Sequence, residues 1–158
     1  MRAFTAIAAL VLLAGCQSAA PRDFTPTYAR FYLESTDPRV VPITLPKSGV
    51  KLSLAATPVL TEGDIVNVET VQVDLGRCLL FQLTPAATRD LYRFSVVNQG
   101  GRLALTINGA AFGARRIDGP IADGRVFVFA EIDDASLPTL VENLKKTSAE
   151  VQLAARKK

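Results

Sequence analysis

The sequence predicts one α+β domain, an antiparallel sheet with two helices packed on one face. Three observations predict it. Several stretches alternate polar and apolar residues with the period of two that a half-buried strand requires. Two other stretches, near residues 85–97 and 137–144, repeat apolar residues at helical spacing. The order of these segments is several strands, a helix, three strands and a second helix, which is typical of the α+β class.

The strands expected before the first helix are short and are separated by breakers. Pro42 cannot donate a hydrogen bond to a sheet, so its segment is expected at an edge. In order, the segments are a strand over Tyr28–Ser35, the edge segment "VVPITL", a strand over Val50–Leu60, one helical turn at Thr61–Asp64, and two strands over 66–73 and 77–84 joined through Leu75–Gly76–Arg77.

Local signals define the first helix. Thr84 is suited to the N-cap and Pro85 to the first helical position. Ala87, Leu91, Phe94 and Val97 then follow with helical spacing, and the polar, glycine-containing residues 98–101 end the segment.

Three strands are predicted next, at 102–107, 110–117 and 125–132. The pair Asn108–Gly109 predicts a tight turn between the first two, and 118–120 separates the second from the third. In the third, Val126 and Val128 alternate with Phe127 and Phe129. Because both faces are apolar, we expect this strand in the middle of a sheet or under a helix.

The second helix is predicted from Leu137, Leu140, Val141 and Leu144, which are spaced i, i+3, i+4 and i+7. Pro138 restricts it to a start in this region, with Asp134 or Ser136 as the cap. Residues 149–156 alternate like an edge strand, and a fraying continuation of the helix is the alternative.

The N-terminus predicts a secreted, lipid-anchored protein. Arg2, an apolar run from Ala3 to Ala14 and the lipobox "LAGC" are typical of a bacterial lipoprotein signal. We therefore expect a signal peptide over 1–15, lipidation of Cys16, a flexible tether over 16–27 and the domain over 28–158. The protein would then be anchored to membrane lipid through Cys16 on the periplasmic face, more readily at the outer membrane, since Gln17 follows the cysteine.

The composition narrows the chemistry. The chain has 158 residues, no histidine and two cysteines, which excludes Ser-His-Asp and Cys-His catalysis and the common structural zinc sites. We expect no cofactor and no metal. A formal charge of +3 makes a weak field on a domain of this size, so no nucleic-acid partner is expected. With Cys16 lipidated, Cys78 has no disulfide partner and is expected to be a small buried core residue.

Four stretches, in this order, resemble the head part of the first large periplasmic domain of the SecD/SecDF protein-export subunits. They are "PVLTEGDI", "LLFQLTPAATRDLYRFS", "GGRLALTINGAAFGARRIDGPIADGRVFVFAEI" and "LPTLVENLKK". The resemblance covers about Thr57–Leu144. The chain has Asn108–Gly109 where the family has Asp-Gly, and Arg115–Arg116–Ile117 where the family usually has a proline. The base part of the family's domain and its transmembrane helices have no counterpart.

The resemblance implies a detached head domain on a lipid anchor, a non-catalytic interaction module. In that family the head is thought to contact the emerging preprotein, so an unfolded polypeptide or another envelope protein is the expected partner, bound at an exposed sheet edge or apolar patch. One alternative is a structural or accessory subunit of another envelope complex.

The other alternative is an enzyme built on the carboxylates Glu131, Asp133 and Asp134. Capping of the second helix is the favoured role of Asp133 and Asp134. Turn or helix-start positions likewise favour structural roles for the other candidate acids. These are Asp64, Asp74, Asp118 and Asp123.

Overall fold

The computed structural model describes residues 22–157, which form eight strands and two α-helices. The elements are β1 (Ala29–Leu33), β2 (Val41–Thr44), β3 (Lys51–Leu54), β4 (Ile65–Val73), β5 (Gly76–Leu83), α1 (Pro85–Val97), β6 (Arg102–Ile107), β7 (Ala110–Arg116), β8 (Arg125–Val128) and α2 (Leu137–Arg156). Short 3-10 turns, Glu62–Asp64 and Asp134–Ser136, precede β4 and α2.

The predicted α+β class, with antiparallel strands and two helices, is confirmed, but the strands are divided among three sheets instead of one. Their orders are β1-β6-β7, β2-β3 and β4-β5-β8. Backbone pairing between the first two sheets is limited to the ends of β1 and β3, where Glu34 bridges Leu54 and the N–H of Ser35 donates to the carbonyl oxygen of Ser53 at 2.8 Å. Between β1 and β2 the chain bends and turns at Asp37–Arg39, so the two strands do not form one continuous strand.

One hydrophobic core unites both three-stranded sheets and both helices. Phe31 of β1 and Phe81 of β5 meet edge to face with ring centroids 5.0 Å apart, a favourable aromatic geometry. Leu91 of α1 and Leu144 of α2 are buried in the same cluster. The helices therefore stabilise the fold by covering this core.

A second, smaller core lies on the other face of the β1-β6-β7 sheet. There the β2–β3 hairpin contributes Leu52 and Leu54, which pack with Ala104 of β6 and with the half-buried Tyr32 and Ile43. Strand β6 is consequently buried on both faces, which explains its continuous apolar sequence.

Strand β8 does not occupy the central position that its apolar sequence predicts. It lies at one edge of its sheet, and β5 lies in the middle. Val126 and Val128 are buried, whereas Phe127 is half-buried and Phe129 is 40% exposed. Of the two predicted alternatives, the middle of a sheet is therefore wrong, while Val126 and Val128 share the main core with Leu91 of α1.

The local signals for α1 and for the β6–β7 turn are confirmed. The hydroxyl oxygen of Thr84 accepts the N–H of Ala87 at 3.2 Å, and Pro85 is the first helical residue. Asn108 and Gly109 have φ of 49° and 83°, the left-handed conformation that a type I′ turn needs.

Helix α2 continues to Arg156, so the predicted edge strand over residues 149–156 is wrong and the alternative, a continuation of the helix, is confirmed. Its buried side continues through Thr147 and Ser148, and the side-chain amide of Gln152 donates to the carbonyl oxygen of Ile65 at 2.6 Å. The predicted capping is not observed: Ser136 occupies the N-cap position, but neither it nor Asp133 provides a side-chain capping bond.

Candidate functional site

Cys16 and residues 1–21 lie outside the described residues, so the signal peptide and the lipidation stay predictions. The described part of the predicted tether contacts α2. Lys146 donates to Asp23 at 2.9 Å, and the hydroxyl oxygen of Thr147 accepts the N–H of Thr27 at 2.8 Å. Arg22 pairs with Glu150 at 3.0 Å. Residues 22–27 are thus packed on the domain rather than separated from it.

Glu131 holds the turn of the β2–β3 hairpin. Its carboxylate accepts the N–H groups of Lys47 and Ser48 at 2.8 and 2.9 Å and the hydroxyl of Ser48 at 2.6 Å. Partial burial favours the neutral acid, but these hydrogen bonds and the charge of Lys47 outweigh it, so the pKa of Glu131 lies below its ordinary value. A general acid needs the opposite shift.

The two aspartates of the same corner form exposed ion pairs. Asp133 lies 3.2 Å from the ammonium group of Lys47, and Asp134 lies 3.5 Å from the guanidinium group of Arg77. The structure thus replaces the predicted helix-capping role with pairing to the hairpin turn and to β5.

The remaining candidate acids are dispersed over the surface and three of them have structural contacts. Asp64 accepts the N–H and the hydroxyl of Thr61 at 2.8 and 2.9 Å, which forms a capping box. Asp123 accepts the N–H of Arg125, and Asp118 pairs with Arg116. Asp74 lies in the β4–β5 turn.

Cys78 is buried in β5, as predicted, with 1% of its surface exposed. Burial raises the pKa of its thiol. A protonated, inaccessible thiol is a poor nucleophile. Within residues 22–157, no three His, Cys, Asp or Glu side chains are grouped in a way that suits a metal ion. The same part of the chain has no helix long and apolar enough to cross a membrane.

An open groove of about 500 Å³ lies on the surface of the described residues, and we call it the outer groove. It lies over the side of β1 and β6 that faces away from the main core. Its lining residues are Pro26, Tyr28, Arg30, Tyr32, Thr106, Asn108 and Gly109. Alternation along β1 brings Tyr28, Arg30 and Tyr32 to this side, because Ala29 and Phe31 are buried in the core.

A smaller apolar pocket of about 140 Å³ continues the outer groove under the β2–β3 hairpin. It shares Tyr32, Thr106 and Gly109 with the groove. The hairpin adds Val41, which is 53% exposed, together with Ile43 and Leu54. The two cavities therefore form one elongated concave surface with aromatic and aliphatic walls.

Arg30 is held at the groove by a bidentate pair with Glu62, at 3.1 and 3.2 Å. Burial of Glu62 favours its neutral form, but the bonds from Arg30 outweigh this, so the pKa of Glu62 lies below its ordinary value. The pair fixes the guanidinium group beside the tyrosines. It therefore gives the groove a positioned donor group.

The sequence signal for this surface was weak. An exposed edge or apolar patch was predicted, but no residues were assigned to it. The period-two pattern of Tyr28, Arg30 and Tyr32 places them on one side of a strand. It does not reveal that the β2–β3 hairpin, which is distant from β6 in sequence, leaves this side partly uncovered.

No family model matches the chain, and no curated protein matches its sequence. Its structure is similar to three solved SecDF structures, all at 15% sequence identity. The first is described as a membrane component that enhances protein export; the TM-score is 0.61, with 76% of this chain and 62% of that chain covered. The structure of SecDF in a super-membrane-facing form also gives a TM-score of 0.61, and the match covers 75% of this chain and 18% of the SecDF chain.

The third structure, SecDF from Thermus thermophilus, described as a translocon-associated membrane protein, gives a TM-score of 0.52. There 78% of this chain and 20% of that chain are covered. The match spans about three fifths of the first SecDF chain and about a fifth of the other two. The resemblance inferred from the sequence is confirmed at the level of the fold: the chain has a SecD-like fold.

Proposed function

We propose that this protein is a non-catalytic, lipid-anchored binding module of the cell envelope, which holds extended polypeptide segments in its outer groove. Cys16 attaches it to the membrane on the periplasmic side, and the SecD-like domain makes the contacts. Two or three acyl chains suffice for lasting attachment, since each buried methylene contributes roughly 0.8 kcal/mol.

The observation that carries this proposal is the continuity of the outer groove with the apolar pocket under the hairpin. Their shared residues, Tyr32, Thr106 and Gly109, make one elongated surface. Tyrosines offer large, rigid contact area at a low entropic cost, and the pocket with Val41 and Ile43 suits an aliphatic side chain. Such a surface fits an extended chain better than a compact small molecule.

The carboxylates support binding rather than catalysis. Glu131 and Asp64 accept backbone N–H groups, while Asp133 and Asp134 pair with basic side chains. Each is engaged in holding the fold. The SecDF structures that share this fold are described by their role in protein export, and a polypeptide ligand is consistent with that role.

Binding is tested by fluorescence anisotropy with the full chain in mild detergent and a labelled, uncharged 12-residue peptide of alternating apolar and polar residues. We expect Tyr28→Ser with Val41→Ser to weaken binding about tenfold, because two apolar contacts of roughly 0.7 kcal/mol each are lost. Leu75→Ser is the matched control, since Leu75 is 86% exposed in the β4–β5 turn, outside the groove. Equal weakening by the control would refute the assignment of the groove.

The anchor is tested separately by labelling cells with radioactive palmitate. We expect the wild-type chain to incorporate label and the Cys16→Ser variant to incorporate none and to leave the membrane fraction. Equal incorporation into both would exclude lipidation at Cys16 without bearing on the groove.

A further inference from the structure

Most arginines of the described residues are neutralised within the fold. Of the eleven arginines in residues 22–157, seven lie within 4.0 Å of a carboxylate oxygen. These pairs are Arg22–Glu150, Arg30–Glu62, Arg39–Asp37, Arg77–Asp134, Arg93–Asp90, Arg102–Glu34 and Arg116–Asp118. Four form no such pair within the described part of the chain. They are Arg89, Arg115, Arg125 and Arg156.

Three of these four border one loop, residues 120–123. Arg115 of β7 and Arg125 of β8 line a cavity of about 380 Å³ together with Phe127 and with Asp123, whose carboxylate accepts a backbone N–H as described below. Arg89 of α1 lines a neighbouring cavity of about 470 Å³ with Tyr92. Ala122 belongs to both cavities, so they adjoin. We call the two together the arginine cleft.

The acidic residues near the cleft have other contacts. Asp90 pairs with Arg93, and Asp118 pairs with Arg116 on the neighbouring position of β7. Asp123 accepts the backbone N–H of Arg125 at 3.0 Å, which leaves the guanidinium group of Arg125 to other partners. Arg115 makes only a long bond, 3.4 Å, to the carbonyl oxygen of Arg116.

The loop between the arginines is held in place. The N–H of Ile121 donates to the hydroxyl oxygen of the buried Ser95 at 2.8 Å, and the carbonyl oxygen of Gly124 accepts the N–H of Leu83 at 2.9 Å. Gly124 has φ of 68° and lies against Thr88 of α1. The cleft is therefore preformed, so a ligand would not have to order it.

We propose that the arginine cleft binds an acidic, extended polypeptide segment, at a site separate from the outer groove. Guanidinium groups pair with carboxylates through two parallel hydrogen bonds. Two adjoining cavities, one with Arg115 and Arg125 and the other with Arg89, suit carboxylates spaced along a chain better than a single small anion. Tyr92 and Phe127 add aromatic surface for the intervening residues.

The position of the cleft favours a polypeptide over a membrane surface. Arg115 pairs with Leu103 at one end of the β6–β7 hairpin, whereas the Asn108–Gly109 turn is at the other end. That turn contacts Tyr28, next to the segment that leads back to Cys16. Five residues of strand separate the two ends by about 17 Å. The cleft therefore lies at the end of this sheet opposite Tyr28, which is the end nearer to Cys16 along the chain, the anchor proposed above.

The test uses the full chain in non-ionic detergent and a labelled 12-residue peptide in which glutamate alternates with alanine. We expect binding at about 50 mM salt that weakens as salt rises, and no comparable binding of the same peptide with glutamine. Arg115→Gln with Arg125→Gln should weaken binding at least about tenfold. The control, Arg156→Gln with Lys157→Gln, removes the same charge from the end of α2 and should change it less than about twofold.

Equal weakening by the control pair, or equal binding of the glutamine peptide, would overturn the proposal. So would displacement of the peptide by glycerol phosphate at similar concentrations, which would assign the cleft to a lipid headgroup. If the melting temperature of the Arg115→Gln/Arg125→Gln variant equals that of the wild type, its weaker peptide binding results from lost contacts and not from unfolding. Tyr28→Ser with Val41→Ser should leave binding of the acidic peptide unchanged, so the proposals for the outer groove and for the arginine cleft are tested independently.

Discussion

Replacing Glu131 with glutamine removes the charge that holds the β2–β3 turn to the chain after β8. In the wild-type protein the carboxylate accepts three hydrogen bonds, two from the N–H groups of Lys47 and Ser48 and one from the hydroxyl of Ser48. Glutamine keeps one acceptor oxygen and replaces the other with a donor. One oxygen accepts both N–H groups, so glutamine can keep its oxygen there, but its NH₂ group then faces the hydroxyl of Ser48, which can no longer donate to this side chain.

The expected loss is about 1–2 kcal/mol of the free energy of unfolding. A hydrogen bond to a charged group contributes roughly 1.5–3 kcal/mol when it is buried, and the half-buried position of Glu131 reduces this through solvent screening. For a domain of this size, 1 kcal/mol corresponds to about 2–4 °C in melting temperature. The matched control is Asp133→Asn in the same corner, whose exposed pair with Lys47 should contribute less than about 0.5 kcal/mol.

The effect should depend on pH. Because the pKa of Glu131 is lower in the folded protein than its ordinary value of 4.5, its stabilisation is fully present above that value. It is lost as the pH falls through the lower, folded pKa. Urea unfolding followed by circular dichroism gives the free energy of unfolding of the wild type and of Glu131→Gln. The difference between the two should be constant from pH 6 to 8 and should shrink below about pH 4.5. A difference that is absent at pH 7, or that persists unchanged at pH 3, would refute this account.

Three further predictions concern the core. Gly113→Ala should destabilise the domain by about 1–3 kcal/mol in thermal melts, since a Cβ there would clash with the carbonyl oxygen of Phe129. The control Gly119→Ala, with no atom within 4 Å of its Cβ and no positive φ, should be neutral or slightly stabilising in the same melts. In a Cys16→Ser background, Cys78 should react with a thiol reagent at least about a hundredfold more slowly in the folded than in the unfolded chain, and a comparable rate would show that β5 is accessible. Reductant and chelator should both leave the melting temperature unchanged, and a drop with either would reveal a disulfide or metal.

The sequence predicted best what local chemistry determines. Thr84 and Pro85 define the start of α1, and Asn108–Gly109 define the β6–β7 turn, because each residue acts within a few positions of itself. The fold class followed from the order of such segments. The structure confirms the fold class, and no knowledge of long-range contacts was needed to predict it.

Long-range contacts account for what the sequence did not predict. Helix α2 continues past Lys146 because its buried side runs through Leu144, Thr147, Ser148 and Val151, at helical spacing. Thr147 and Ser148 are polar, so this side does not appear in a hydrophobic pattern. Thr147 instead accepts the N–H of Thr27, 120 residues away.

The same holds for the candidate site. Glu131, Asp133 and Asp134 are adjacent in sequence, which suggested a shared chemical role, but their partners come from β2–β3 and β5. The outer groove joins side chains from β1, β6 and the hairpin. The spacing of residues in the sequence does not predict this groove, because the groove depends on how much of the outer face of the β1-β6-β7 sheet the hairpin covers.

The pattern of charge explains why binding is the better proposal for this fold. Three carboxyl groups have pKa values displaced from the ordinary range, Asp23, Glu62 and Glu131, and all three are lowered. Each joins segments distant in sequence: Asp23 to Lys146 of α2, Glu62 to Arg30, and Glu131 to the hairpin turn. These acids are already ionised at neutral pH, where proton donation would require the opposite shift. Three of the four arginines that have no carboxylate partner within residues 22–157 instead line the arginine cleft, where the acidic segment proposed above would supply the carboxylates.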